Sequence, residues 1–92
     1  MIYKGKTIEI NKLDLPTGIF GATTCNEAEA KYQVYINGSV AGIVQRHTIG
    51  HELAHIFLGH FESNLPLWAK EREAEEKAWD YYRAYKAGLL DQ

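Results

Sequence analysis

The sequence predicts an α+β domain. A small antiparallel β-sheet of about three strands fills the N-terminal half and packs against a histidine-bearing helix and a long C-terminal helix. Three observations support this. Apolar residues alternate with period two in the first half and recur at helical spacing in the second. The 92 residues fit one domain over residues 1–92. Six Tyr, three Phe and two Trp supply a core and argue against disorder.

The elements follow in order. Thr7-Ile8-Glu9-Ile10 alternates as a strand with one buried face does. Asp14-Leu15-Pro16-Thr17-Gly18 reads as a turn, and residues 19–24 as a second strand. Tyr32-Gln33-Val34-Tyr35-Ile36 is the strongest strand, with Tyr32, Val34 and Ile36 on one face. Asn37-Gly38 breaks it and reads as a strand-to-helix corner. A helix over residues 43–61 comes next. At about 100° per residue, Ile49, Leu53, Ile56, Phe57 and Phe61 share one apolar side, with His51 and His55 opposite. Asn64-Leu65-Pro66 separates it from a last helix over residues 67–87, stopped by Gly88. The inward stripe of that helix is Leu67, Glu71, Ala74, Ala78, Tyr81, Tyr82 and Tyr85. Trp68 and Trp79 lie off it, and residues 87–92 are expected to fray.

Composition excludes several classes. A net charge of −2 and a pI near 6.0 give no footprint for nucleic acid. No apolar run approaches the ~18–20 residues of a membrane span, and the N-terminal stretch lacks a signal peptide's apolar centre. No membrane partner is expected. The lone Cys25 rules out a disulfide framework, so the expected compartment is the cytoplasm.

The chemistry is concentrated in His51-Glu52-Leu53-Ala54-His55, an HExxH motif. Side chains four apart on a helix stack on one face, so both imidazoles can point at one metal ion. Zinc takes His nitrogen at about 2.0–2.1 Å in a tetrahedral shell. Glu52, roughly 100° round the helix from His51, is placed to accept a proton from a metal-activated water. A catalytic zinc usually has three protein ligands and one open position. His60, about 180° round from His51, points away. His47 reads as a polar residue at the rim. Leu58 and Phe61 occupy the positions where a metzincin needs Gly and His, which rejects that class. Among the glutamates, Glu71 shares the inward face with Ala74 and Ala78, so turn geometry selects it as third ligand. Glu75, one turn later, serves either as a hydrogen-bond partner of a ligand imidazole or as a solvated charge. Glu73 and Glu76 read as solvated. One Zn2+ ion on His51, His55 and Glu71 is the expected cofactor.

Thr48-Ile49-Gly50-His51-Glu52-Leu53-Ala54-His55-Ile56-Phe57-Leu58-Gly59-His60 resembles the T-x-x-HELGH-x-x-L-x-H helix of ImmA/IrrE-like zinc metallopeptidases. Glu71-Arg72-Glu73-Ala74-Glu75-Glu76-Lys77-Ala78 is similar to that family's E-x-x-A-(N/D)-x-F-A helix, whose first Glu is the third zinc ligand. Tyr32 to Asn37 looks like the strand that precedes the motif helix. The chain departs from the pattern at Ala54, Glu75, Lys77 and His47, and Tyr81-Tyr82-Arg83-Ala84 stands in place of Leu-Leu-x-Pro. The resemblance implies a gluzincin and a near-minimal catalytic domain.

The expected function is therefore zinc-dependent hydrolysis of a peptide or protein substrate, with Glu52 as general base. The strand at residues 32–36, if it lies at a sheet edge, offers β-augmentation to an extended peptide. The rival expectation keeps the metal and drops catalysis, giving a regulatory or binding module on a peptidase fold. A third is an interaction domain without metal.

Overall fold

In the computed structural model, which describes residues 1–90, the chain runs β1 (Ile2–Tyr3), β2 (Lys6–Leu13), β3 (Gly21–Asn26), β4 (Lys31–Asn37), α1 (Gly42–Phe57) and α2 (Leu67–Lys86). The α+β class is the one expected. The sheet differs in having four strands rather than three, and in being mixed rather than antiparallel, with order β1-β2-β4-β3. β1 pairs with β2 and β3 with β4 in antiparallel fashion. β2 and β4 run parallel, from Thr7 opposite Lys31 to Leu13 opposite Asn37.

Burial explains the order. Tyr32, Val34 and Ile36 are 2%, 0% and 0% exposed, so the most apolar strand takes a central place and β3 is displaced to the outer edge. β1, two residues long, is too short to show a periodicity. It joins β2 through Lys4-Gly5, both at positive φ (48° and 79°), as the twist of a two-residue hairpin requires. The outward face of the sheet is a polar ladder: Asn11 Nδ2 donates to Gln33 Oε1 (2.8 Å) and Gln33 Nε2 to Glu9 Oε2 (3.0 Å). The inward face, with Ile8, Tyr32, Val34 and Ile36, packs on Ile49, Leu53 and Ile56 of α1.

The helix α1 ends at Phe57, four residues earlier than the sequence predicts. Gly59 takes φ 72°, the left-handed conformation of a helix stop. The His60 N–H donates to the His55 carbonyl and the Gly59 N–H to that of Ile56, both at 3.0 Å. Phe61 therefore leaves the helical face; it is half-exposed, with its ring edge-on to Tyr32. α2 stops as expected, with Gly88 at φ 72° and the Leu89 N–H on the Ala84 carbonyl at 2.9 Å. Beyond it Leu90 is buried in the core rather than frayed. Asp91 and Gln92 lie outside the described residues.

Ala74 and Ala78 are fully buried against α1. Ala78 lies directly against Gly50, where an added Cβ would stand 1.8 Å from the Ala78 carbonyl oxygen. The two helix backbones thus meet directly beside His51. Leu67, expected to face inward, is the first residue of α2 and is 73% exposed. Asn37 is buried at the corner the sequence marks. Its Nδ2 donates to the Ile19 and Leu15 carbonyls (2.9 and 3.3 Å) and its Oδ1 accepts the Ser39 N–H at 2.9 Å. It thereby ties down the β2–β3 connection. Among the described residues no helix is long and apolar enough to cross a membrane.

Candidate metal centre

One turn of α1 separates His51 from His55, and their Nε2 atoms lie 3.1 Å apart. The close contact at Gly50 brings Glu71 of α2 over this pair. Glu71 Oε2 is 3.0 Å from His51 Nε2, and Oε1 is 3.0 Å from His55 Nε2. Ligand atoms about 2.0–2.1 Å from a tetrahedral zinc stand ~3.3 Å from one another. Two imidazole nitrogens and a carboxylate at 3.0–3.1 Å thus fit around one such ion with a small expansion.

Glu52 is 8% exposed and lies on the sheet side of the histidines. Thr23 of β3 donates its Oγ1–H to Glu52 Oε1 at 2.6 Å. Burial pushes the Glu52 carboxyl above the usual range, against the opposing effects of Thr23 and His51. Burial also holds His55 below the usual imidazole value, outweighing the attraction of Glu71. A neutral imidazole is the metal-binding form. His51, Glu52 and His55 each offer an atom within 4.8 Å of the others, so Glu52 is a geometrically possible ligand. Glu71 suits that role better: both its oxygens already face the two Nε2 atoms, whereas one oxygen of Glu52 is committed to Thr23.

These groups floor a cleft of about 650 Å³. One wall is residues 18–23, leading into β3; the other includes His47, Lys70 and Glu75. Ile19, Phe20, Phe61 and Leu67 add an apolar rim, and all four are exposed. The cleft-side edge is β3 and not the strand at residues 32–36, which is internal, paired on both sides. Central placement of the most buried strand overturns that expectation. No family model matches the chain, and no curated protein does.

The remaining candidates fall into place around this centre. His47 sits at the rim, with Nε2 3.4 Å from Glu75 Oε1 and its ring against Trp79. Glu75 also approaches His51, with Oε2 3.6 Å from Nδ1. Glu76 pairs with Arg72 on the surface. Cys25 is half-buried on β3 and does not line the cleft.

Two expectations are corrected. His60 does not point away: it is 4% exposed, and its Nδ1 lies 2.8 Å from His55 Nδ1. Extending α1 to residue 61 misplaces it, because the chain reverses at Gly59. Glu73 is not merely solvated either, since its Oε1 is 2.8 Å from His60 Nε2. Gly59 carried the signal that would have found both. Thr23 left no signal, because its partner is 29 positions away.

Proposed function

We infer that the chain is a zinc-dependent metallopeptidase of the gluzincin type, acting on a peptide or protein. The observation that carries this reading is the convergence of His51 Nε2, His55 Nε2 and both Glu71 oxygens within 3.0–3.1 Å, beside a buried carboxylate and on the floor of a cleft. When bound, a zinc ion supplies a Lewis acid that polarises a carbonyl and acidifies water. Thr23 occupies Oε1 of Glu52, which leaves Oε2 to take the proton of the attacking water and pass it to the departing amine. The raised proton affinity of the buried carboxyl suits both transfers. The outer edge of β3 borders the cleft, so an extended peptide can pair with it as an added strand. The apolar rim then meets the peptide's side chains.

A metal held only for stability needs no base. Burying Glu52 against its preference for water is a cost that a purely structural site has no use for. The test is cleavage of a peptide library by the zinc-loaded chain. Glu52→Gln is expected to keep zinc and lose cleavage, and His51→Ala to lose both. Undiminished cleavage by Glu52→Gln removes the general-base assignment. Stoichiometric zinc without any cleavage by the unaltered chain favours the non-catalytic module.

A further inference from the structure

Among the residues lining the cleft, His55 and His60 stand with their Nδ1 atoms 2.8 Å apart. At that separation one nitrogen donates and the other accepts, because two lone pairs or two N–H groups repel. The far side of His60 decides which. Its Nε2 is 2.8 Å from Glu73 Oε1, and an ionised carboxylate only accepts. In a neutral His60, Nε2 therefore carries the single ring proton, and Nδ1 is a bare acceptor. His55 Nδ1 must then donate. A neutral His55 has one ring proton, so its Nε2 keeps a lone pair. That lone pair faces Glu71 Oε1 at 3.0 Å and His51 Nε2 at 3.1 Å. His55 Nε2 and Glu71 Oε1 are then two acceptors 3.0 Å apart with no proton between them, an arrangement that a shared cation satisfies.

We propose that His60 and Glu73 are positioning residues that fix the tautomer and ring orientation of His55, so that Nε2 is presented to a divalent cation shared with His51 and Glu71. The proposal rests on the metal reading above. His60 is buried, so bulk water does not replace its partners. Glu73 is half-exposed at its side chain, so it can be truncated without opening the core. The support behind His51 is looser, because Glu75 Oε2 at 3.6 Å from Nδ1 lies beyond hydrogen-bond reach. The two imidazoles are thus held unequally, and His55 is the anchored one.

The experiment measures zinc affinity by competition with a chromophoric chelator for the unaltered chain, Glu73→Ala and Glu73→Gln. Imidazole nitrogen NMR shifts of the zinc-loaded proteins report the tautomers. Glu73→Ala is expected to weaken zinc binding by about 10–100-fold and to move His60 away from the Nε2–H form. Glu73→Gln, whose amide oxygen still accepts, is expected to recover part of the affinity. Zinc binding by Glu73→Ala as tight as in the unaltered chain, with the same tautomers, overturns the proposal and leaves the metal reading standing. An unaltered chain without zinc affinity defeats both.

Discussion

Replacing Gly50 by alanine tests whether helix packing builds the metal centre. The new Cβ would stand 1.8 Å from the Ala78 carbonyl oxygen and 3.1 Å from Tyr82 Cβ, while contacts below 3.0 Å are essentially never seen. The obstacle is backbone, so no side-chain rotation relieves it, and α2 must retreat by more than about 1 Å. Overpacking of this kind costs about 2–3 kcal/mol. At roughly 4–8 °C per kcal/mol for a domain of this size, Tm falls by about 10–20 °C. Glu71 rides on the same helix. Its 3.0 Å approach to each imidazole opens to about 4 Å, wider than the ~3.3 Å between ligands of one zinc. Thermal melts with and without zinc, together with chelator competition, check both effects. Circular dichroism confirms that the variant still folds. A Gly50→Ala protein with unaltered Tm and zinc affinity would show that the Gly50–Ala78 contact does not deliver Glu71.

Three further outcomes are expected. Asn37→Ala leaves the Ile19 and Leu15 carbonyls without their donor; a loss of about 1–3 kcal/mol in denaturant unfolding is expected, with faster amide exchange in residues 14–20. Glu52→Gln raises the Tm of the metal-free chain at pH 7. Because burial raises the folded-state pKa of Glu52, its favourable contribution is complete only below its unfolded value and is lost as pH rises, and Gln mimics the protonated form. Tyr32 is pushed up to about 12 by burial. The folded chain keeps this proton between pH 10 and about 12 while the unfolded chain releases it, so stability on the order of 2–3 kcal/mol is lost across that window; Tyr32→Phe flattens the alkaline limb measured by urea titration.

The parts of this protein that are legible in its sequence are those set by local periodicity. The His51–His55 pair and the placement of Glu71 on the side of α2 that faces it follow from helical spacing within single elements, although the Glu71 side chain is half-exposed rather than buried; the stop at Gly88 follows from a local glycine signal. Sheet order is not local. It depends on Tyr32, Val34 and Ile36 out-competing the other strands for the buried centre, which sends β3 to the edge and makes β2 and β4 parallel. His60 shows the opposite failure. A local signal, Gly59, is present, but an apolar spacing that continues to Phe61 outweighs it and misdirects the side chain. Thr23 depends wholly on tertiary placement: close approach of β3 to α1 at Gly21, where a Cβ would meet Thr48 Cγ2 at 2.6 Å, sets its hydroxyl on Glu52.

The most direct measurement is zinc stoichiometry and affinity of the unaltered chain beside Glu71→Ala, by native mass spectrometry and chelator competition. One zinc per chain, with binding lost or greatly weakened in Glu71→Ala, is the predicted result. Equal zinc binding by both proteins would mean that the carboxylate of the second helix is no part of the metal shell.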